Sequence, residues 1–484
     1  MNDETRLKKL QWAIHGVTAP FSSAGSFVPE KPFTVVFRDK SRFTVNRAEN
    51  YSKQDELLRP LMNLCQPATF GDKRQTRLDR NVRDALQLKA DKGGFAVENF
   101  DPEAAGILDL IQRQMLPHES EPISAELYAI NVYSSGGHFA PHKDTPRGQD
   151  MFGTLVVCLP SRFYRGEFVL SHRGVVQRFD WGREIGEQQK ESQIHWVAFF
   201  GDVDHQIEKV WMGARVTVTY LLRRESSDTL SRTVPDEDLA STITEAWREL
   251  LADDTFLPEG GIVGYPCCHL YHQDARFQVK QTPLDASSAN MLKGRDQLVA
   301  AASLQADLKV TFAPYLFENC VDETWQLDRF PTSQEQKKMK RQMDGSQLQS
   351  AMPIHGASSE KVGDFGVTWL EDPPTSRSGN VGENSKSVTS SELPTAAHLH
   401  SCEYCEWGNF GNEASEVDFY IYAALHVQFP KLGEGRRANM QPSTPTKKKK
   451  AWAKSPESPA TSKSSPAAKK SLPKKKARKK SDGR

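Results

Sequence analysis

Two residues separated by one position, His142 and Asp144, have side chains of the kind that hold a divalent metal ion. In a strand or its exit turn, residues two apart point the same way, so both side chains can reach one ion. A ferrous site that must also bind an oxidant and a cosubstrate uses two imidazoles and one carboxylate on one face, which leaves open positions opposite. The pair therefore predicts an iron site if a second histidine follows.

That second histidine is His205, and an arginine, Arg215, follows it ten residues later. Spacing alone is weak support, because His272 and Asp274 form another pair with the same spacing. The later pair has no matching strand before it and no arginine ten residues beyond a later histidine. We therefore expect the first pair and His205 to converge on one point, and the second pair to lie elsewhere.

The residues between Leu127 and Arg223 have to position these ligands, and their pattern is rich in β-formers. Apolar runs separated by Gly, Asp and Pro predict strands, namely LYAINVY, TLVVCLP, EFVLSH, HWVAFF and RVTVTYLL. Short strands in this arrangement are typical of an antiparallel sandwich or jelly roll. The predicted fold class is α+β, with a jelly-roll core, supporting helices, a C-terminal α+β region and a disordered basic tail.

The rest of the chain divides by composition. A hairpin is predicted over residues 31–45, and helices over 102–116, 236–252 and 292–304, from the spacing of apolar residues. The predicted segments are an N-terminal strand and helix support at 1–120, the core at 121–225, a C-terminal α+β domain at 226–329 and 397–432, a disordered insertion at 330–396 and a basic low-complexity tail at 433–484.

Charge is distributed unevenly along the 484 residues. Residues 441–484 contain 15 Lys/Arg and two acidic residues, a net charge of +13, which leaves −12 for the rest of the chain. A net negative charge on the folded part of the chain is not typical of a domain that binds the phosphate backbone of nucleic acids. The basic clusters at 447–450 and 474–480 instead predict nuclear localisation, through an import receptor, or nucleic-acid contact by the tail alone.

Localisation follows from what the sequence lacks. No signal-like apolar segment follows the charged N-terminus, and no run approaches the ~20 apolar residues of a membrane span, so we expect an intracellular protein without membrane contact. Seven cysteines at irregular spacings do not form a disulfide framework. A zinc site is a weaker alternative use for some of them. Its ligands would come from Cys402 and Cys405 with nearby His398 and His400, and from Cys267, Cys268 and His269.

The run around the metal candidates resembles the prolyl 4-hydroxylase-like branch of the iron(II)/2-oxoglutarate dioxygenases. The matching pattern is Tyr-x-x-Gly-x-x-aromatic-x-x-His-x-Asp, then His-x-Val/Ile-x-x-Val-x-x-Gly-x-Arg. Its positions are filled in order by Tyr133, Gly136, Phe139, His142 and Asp144, then by His205, Ile207, Val210, Gly213 and Arg215. The resemblance covers about 100 residues and implies a double-stranded β-helix (jelly-roll) oxygenase core. Outside them, only the stretches around LKGRDQL and GNFGNEASEVDFYIYAALHVQFP resemble C-terminal parts of a little-characterised eukaryotic group of such oxygenases.

The resemblance implies a role for each of these residues. The cofactors would be Fe(II), 2-oxoglutarate and O2, with ascorbate as a further possibility, and the metal ligands and catalytic residues would be His142, Asp144 and His205. Arg215 would bind the distal carboxylate of 2-oxoglutarate, which suits a bidentate guanidinium. Further cosubstrate contacts are expected from Tyr133, Asn131, Thr217 and Thr154. Cys158 stands where the family often has a tyrosine, so the carboxylate anchor is expected to differ.

The implied activity is hydroxylation of an unidentified substrate, with a protein side chain as the expected target and a small molecule as the alternative. Demethylation of nucleic acid or protein by the same chemistry is also open, because Asn131 and Tyr133 resemble the cosubstrate strand of AlkB-type demethylases. A catalytically silent oxygenase fold used as a binding scaffold is the third alternative. Nothing between Asp144 and His205 names a substrate.

Overall fold

A computed structural model describes residues 3–72, 75–91, 94–119, 121–183, 193–225, 237–274, 282–318, 323–327, 359–361, 367–370, 405–406 and 418–438. The helices in these ranges are α1 Asp3–Gly16, α2 Gln54–Met62, α3 Ile107–Met115, α4 Glu237–Ala252, α5 Ala286–Ala289 and α6 Gly294–Gln305. None of the helices in the described ranges is both long enough and apolar enough to cross a membrane.

Strands are the main regular structure before residue 225. They are β1 Ser22–Phe27, β2 Thr34–Phe37, β3 Arg42–Thr44, β4 Gln66–Pro67, β5 Phe70–Asp72, β6 Gln75–Arg77, β7 Arg83–Asp84, β8 Leu86–Lys89, β9 Phe95–Glu98, β10 Ile123–Tyr133, β11 His138–His142, β12 Met151–Cys158, β13 Phe163–Arg165, β14 Phe168–His172, β15 Val175–Phe179, β16 Ile194–Phe200, β17 Asp204–Ile207, β18 Val210–Gly213 and β19 Arg215–Arg224.

Two antiparallel sheets of these strands form the core around the candidate ligands. The larger has the strand order β1-β16-β12-β19-β10-β8-β4, and the smaller has the order β15-β14-β17-β11-β7. Their facing side chains share one hydrophobic cluster, in which Phe168 of the smaller sheet lies 5.6 Å, centroid to centroid, from Phe199 of the larger. The ligands therefore lie between two sheets that exclude water.

A second hydrophobic cluster belongs to the C-terminal part of the chain. Its strands are β20 Gly261–Pro266, β21 Tyr271–Asp274, β22 Thr282–Leu284, β23 Lys309–Glu318, β24 Glu323–Leu327, β25 Ser359–Lys361, β26 Val367–Trp369, β27 Cys405–Glu406 and β28 Asp418–Phe429. They form one sheet in which the β20–β26 pair is parallel and the other pairs are antiparallel. Helices α4 and α6 contribute buried residues, including Trp247 and Leu298, to the same cluster.

The expected mixture of helices and mostly antiparallel sheets is confirmed. The hairpin is formed by β2 and β3, the predicted helices are α3, α4 and α6, and each β-rich run of the core is a strand. The jelly-roll winding and the division into domains stay predictions. The basic tail from residue 439 lies outside the described residues.

Three local structures differ from the sequence-based expectations. Helix α1 was not predicted, and its apolar residues belong to the C-terminal cluster rather than to an N-terminal support. The range 330–396, predicted to be disordered, contains β25 and β26, and Leu370 directly after them is buried. The tail was expected from residue 433, but residues 435–438 form a 3-10 helix. There, the buried Arg437 side chain donates to backbone carbonyls that include those of Leu251 and Phe256.

Helix α1 joins the cluster through one face. Leu7, Leu10 and Ile14 recur at helical spacing and are buried, whereas Arg6 and Lys9 pair with Asp253 and Glu249 at the edge of the contact. The charged residues hide this pattern in the sequence. The helix is held by burial of its apolar face, since surface ion pairs contribute little.

Replacing Leu10, which is fully buried, should destabilise the protein far more than replacing Trp12, which is 74% exposed on the same helix. Leu10→Ala leaves a cavity and is expected to cost about 2–5 kcal/mol of unfolding free energy. Trp12→Ala is expected to change it by less than about 0.5 kcal/mol. Urea denaturation measures both, and equal losses would contradict the packing described for α1.

Two buried histidines make the stability depend on pH. Burial lowers the pKa of His195 and of His426 from 6.5 to about 4. In the unfolded chain these imidazoles take up protons near pH 6.5, while in the folded protein they stay neutral until about pH 4. The unfolded state therefore binds more protons in this window, and the free energy of unfolding falls as the pH falls.

His426→Gln should weaken this dependence, because it removes one proton that the unfolded state alone takes up. Denaturation between pH 7 and pH 5 is expected to give a shallower loss of stability in the variant than in the wild type. Identical slopes would show that the burial of His426 does not shift its titration.

Candidate metal centre

Strand register brings the two candidate histidine ligands together. His142 at the end of β11 lies directly opposite His205 of β17 in the antiparallel pair. Residues opposite each other in such a pair have side chains on the same face, and here it is the buried inner face. The ring centroids of the two imidazoles are 4.0 Å apart. Both side chains therefore point at one place between the sheets.

Each imidazole is oriented by its own backbone. Nδ1 of His142 is 2.9 Å from the carbonyl oxygen of Ala140, and Nδ1 of His205 is 3.0 Å from that of Val203. A carbonyl oxygen can only accept, so each Nδ1 carries a hydrogen, and Nε2 is the ring nitrogen left to bind a metal. Burial, and then the neighbouring His205, hold the pKa of His142 well below its ordinary value, which keeps this ring in the neutral form that binds metals.

Asp144 completes the group. One donor atom from each of His142, Asp144 and His205 lies within 4.8 Å of the others, and Nε2 of His205 is 3.7 Å from Oδ1 of Asp144. The Asp144 backbone N–H donates to the Gly201 carbonyl at 3.1 Å, which ties this residue to the turn before β17. All three side chains are buried. The donor set and its spacing suit a divalent metal with open positions on the far side.

Thr154 was expected to contact the cosubstrate, but its hydroxyl donates a short hydrogen bond to Oδ2 of Asp144. The bond leaves Oδ1 turned toward His205. A hydroxyl that orients a ligating carboxylate acts on the metal indirectly and typically matters for its affinity. The structure thus places Thr154 beside the ligand group, and a direct cosubstrate contact stays a prediction.

The two glycines of the sequence pattern are explained by the backbone. Gly136 has a φ of +88° in the turn between β10 and β11, a conformation that side chains with a Cβ rarely adopt. Its N–H donates to the carbonyl of Val210, which aligns β18 with this turn. A Cβ at Gly213 would lie 2.1 Å from the carbonyl oxygen of Arg162. Glycine there allows β18 to pass close to β13 just before Arg215.

Arg215 is fully buried and lies opposite Tyr133 at the first position of β19. Its Nη1 donates to the Gly166 carbonyl at 2.8 Å, while Nε and Nη2 are buried without a hydrogen-bond partner. The guanidinium carbon is 5.6 Å from the centroid of Phe168 and 5.1 Å from that of Trp181. A buried cation with two unused donors is costly, so the site favours an anionic ligand.

Cys158, which was expected to change the carboxylate anchor, lies beside this guanidinium. Burial raises the pKa of the Cys158 thiol to about 11, against the opposing influence of Arg215. The thiol therefore stays uncharged at neutral pH and cannot neutralise the cation. Tyr133, the other predicted contact, is buried directly opposite Arg215.

Asn131 and Thr217 lie opposite each other on β10 and β19. They are two residues away from Tyr133 and Arg215 and lie on the same inner face. The Asn131 amide is already engaged. Its oxygen accepts from Arg83 and Gln87, both at 2.9 Å, and its nitrogen donates to Thr219 at 3.3 Å. A cosubstrate contact by Asn131 or by the buried Thr217 stays a prediction.

Other candidates lie outside this group. His272 is on β21 of the C-terminal sheet and is not in the ligand group found among the described residues, and the Asp274 side chain is not among those described. Of the possible zinc ligands, Cys402 lies outside the described residues. Burial raises the pKa of Cys268 to about 11, and its sulfur is 3.3 Å from Arg173 Nη1. A zinc site there stays a prediction.

A second group of metal-type side chains was missed by sequence reasoning. Donor atoms of His172, Asp202 and His269 lie within 4.8 Å of one another. Asp202 is three residues before His205, but no local pattern indicates its contacts with His269 and Lys293, which lie 67 and 91 residues further along the chain. Sequence analysis considered His269 only as a ligand of the alternative zinc site.

No family model matches this chain, and no curated protein matches its sequence. Solved structures with which it aligns include a prolyl-4-hydroxylase of Pseudomonas putida, at 16% identity and a TM-score of 0.26 over 45% of this chain and 100% of the other. A 2OG-Fe(II) oxygenase family oxidoreductase from Burkholderia pseudomallei aligns at 16% identity and a TM-score of 0.23, over 37% of this chain and 83% of the other.

A prolyl hydroxylase of Trichoplax adhaerens, solved with a peptide fragment of the hypoxia inducible factor oxygen degradation domain, aligns at 14% identity and a TM-score of 0.24. The alignment covers 45% of this chain and 90% of that one. Each TM-score is far below 0.5, so the function proposed below rests on the geometry of the site.

The site should bind one divalent metal per chain. Co(II), whose visible absorption reports its coordination, is expected to bind the wild type with a stoichiometry of one. His142→Ala should abolish or strongly weaken this binding because a ligand is lost. His272→Ala, the matched control with the same sequence spacing, should leave it unchanged. Equal binding by both variants would contradict the site.

Proposed function

We propose that this protein is an iron(II)- and 2-oxoglutarate-dependent dioxygenase of the prolyl 4-hydroxylase-like branch. The observation that carries the proposal is the buried, incompletely hydrogen-bonded guanidinium of Arg215 beside the His142, Asp144 and His205 group. A metal triad alone fits many proteins. A triad with a water-excluded cation near it fits a site that takes a metal-bound anion.

One aromatic ring relates the two halves of this site. The centroid of Phe168 is 5.6 Å from the guanidinium carbon of Arg215 and 5.9 Å from the ring centroid of His205. The guanidinium and the imidazole are thus no further apart than the sum of these distances. A five-carbon dicarboxylate can have one end at the metal and the other at Arg215, with its chain along the apolar wall.

The residues present fit ferrous iron, because two imidazoles and one carboxylate leave positions open for other ligands. When bound, the iron supplies O2 activation coupled to the conversion of 2-oxoglutarate into succinate and CO2. His142, Asp144 and His205 hold the metal, and Thr154 fixes the carboxylate of Asp144. Arg215 binds and orients the distal carboxylate, and Phe168 and Trp181 exclude water. Ascorbate is a further cofactor that we propose for this chemistry.

For the substrate we propose a side chain of a protein, hydroxylated by this chemistry. A surface groove of about 490 Å3 is lined by β11 and β17, the strands that carry two of the ligands. Trp211 in this groove is 61% exposed, and the Arg165 guanidinium lies 5.1 Å from its ring centroid. Exposed tryptophan and arginine are enriched where proteins bind other proteins.

The basic clusters of the tail support a proposal of nuclear localisation through an import receptor. Nucleic-acid contact by the tail alone remains the alternative partner, and demethylation remains the alternative outcome of the same chemistry.

The proposed reaction is tested by measuring succinate formed from 2-oxoglutarate with and without Fe(II). The wild type is expected to form succinate only when iron is present, and His142→Ala is expected to stay at background. Equal production by both proteins would overturn the assignment. Binding of metal and 2-oxoglutarate by the wild type without any succinate would instead favour a silent scaffold.

The variant Arg215→Met distinguishes a role of Arg215 in cosubstrate binding from a role in folding. It removes a buried charge whose donors are partly unused, so the melting temperature of the metal-free protein should stay the same or rise. The affinity for 2-oxoglutarate should fall about 10- to 150-fold, which corresponds to the loss of a charged hydrogen-bonded pair of about 1.5–3 kcal/mol.

Arg224→Met is the matched control. This arginine is also buried, but it is paired with Glu119 at 2.9 Å and donates to the Leu292 carbonyl. Its loss should lower the melting temperature and leave 2-oxoglutarate affinity unchanged. Calorimetric titration and thermal melts measure both quantities. A large loss of stability in Arg215→Met with unchanged affinity would make Arg215 a structural residue.

A further inference from the structure

The turn between β16 and β17 supplies the backbone groups that orient two of the three candidate ligands. The Gly201 carbonyl accepts from the Asp144 N–H at 3.1 Å, and the Val203 carbonyl lies 3.0 Å from Nδ1 of His205. Any movement of this turn would therefore displace both ligands. Asp202 lies between the two carbonyls, at the centre of the turn.

The Asp202 side chain is bound by the C-terminal part of the chain. Its Oδ1 accepts from Lys293 Nζ at 2.9 Å, and its Oδ2 accepts from Leu270 N–H at 3.0 Å and lies 3.1 Å from His269 Nδ1. The Asp202 side chain has no exposed surface, and that of Lys293 is 6% exposed. Three donors from residues 269–293 thus surround one carboxylate of the turn.

The donors are themselves held in place. Lys293 Nζ also donates to the Leu270 carbonyl at 2.7 Å. The His269 N–H donates to Oδ2 of Asp296 at 3.0 Å, and the hydroxyl of Tyr271 donates to the same oxygen at 2.7 Å. Asp296 is fully buried in α6. The residues that donate to Asp202 are therefore part of the packed C-terminal cluster.

His172, Asp202 and His269 together have the composition of a metal site. The contacts of Asp202 instead indicate a set of hydrogen bonds and one ion pair that holds the turn without a metal, which we call the lock. The carboxylate is already neutralised by the Lys293 ammonium, and Arg173 lies on the chain directly after His172. A divalent cation at this point would face the ammonium at close range in a buried setting. Both carboxylate oxygens already accept hydrogen bonds from the C-terminal donors.

Building on the proposed function, we propose that Asp202 is a positioning residue through which the C-terminal part of the chain fixes the metal ligands. Lys293, His269 and Leu270 hold the carboxylate, the carboxylate holds the turn, and the turn holds Asp144 and His205 in ligating geometry. The C-terminal part is then required for metal affinity, although it supplies no ligand.

The test compares Co(II) affinity in four variants of the full chain. Asp202→Asn and Lys293→Met each remove one side of the lock. The double variant removes both charges, so no uncompensated buried charge remains to unfold it. Glu119→Gln is the control, because Glu119 and Arg224 form another buried ion pair, and Arg224 reaches the C-terminal part at Leu292 rather than the turn.

We expect Asp202→Asn, Lys293→Met and the double variant to weaken Co(II) binding about 10- to 100-fold, the usual effect of removing groups that orient metal ligands. The visible spectrum of bound Co(II) should change with them. Glu119→Gln should bind within about twofold of the wild type, whatever its melting temperature. Circular dichroism on the same samples confirms folding.

The outcomes separate the two proposals. Wild-type affinity in the folded double variant would overturn the positioning role while leaving the dioxygenase assignment intact. A loss in Glu119→Gln as large as in the lock variants would also overturn it, because any buried pair would then suffice. A wild type that binds no Co(II) would overturn the proposed function, and the positioning role with it.

Discussion

The antiparallel register of β11 and β17 is the constraint on which the site depends. It sets His142 opposite His205 and Phe139 opposite Ile207. An irregularity in the pairing between Phe139 and His142 puts these two residues, three apart in sequence, on the same inner face, where their rings stack at 3.5 Å. Burial of Phe139 and Ile207 stabilises this register, because a shift by one residue would expose them and turn the imidazoles outward. The apolar packing that stabilises the sheet therefore also fixes the positions of the two histidine ligands.

Two buried charges in the core have opposite situations, and the contrast indicates their roles. Asp202 is surrounded by donors and paired with Lys293, as expected of a charge that serves the structure. Arg215 keeps Nε and Nη2 without partners although it is equally buried. A fold tolerates such a cost where a ligand supplies the missing partner, and the ligand that we propose for Arg215 is an anion that also reaches the metal.

Much of the site could be predicted from sequence, since period-two strands and a fixed order of His, Asp, His and Arg are local signals. Helix α1 could not be predicted in this way. Its apolar face, which includes Leu7 and Leu10, packs only against a cluster of residues more than 200 positions later in the chain. Thr154 shows the same limit, since its hydroxyl could serve a cosubstrate or a ligand until the fold sets it against Asp144. The contact of Lys293 with Asp202 spans 91 residues and no local pattern encodes it.

Diffraction from crystals of the full chain with Mn(II) and 2-oxoglutarate, measured at the manganese absorption edge, tests the central claim most directly. We predict one anomalous peak, bound by Nε2 of His142, Nε2 of His205 and the carboxylate of Asp144, with the distal carboxylate of 2-oxoglutarate on Arg215. A peak among His172, Asp202 and His269 instead, or a dicarboxylate bound away from Arg215, would contradict this assignment.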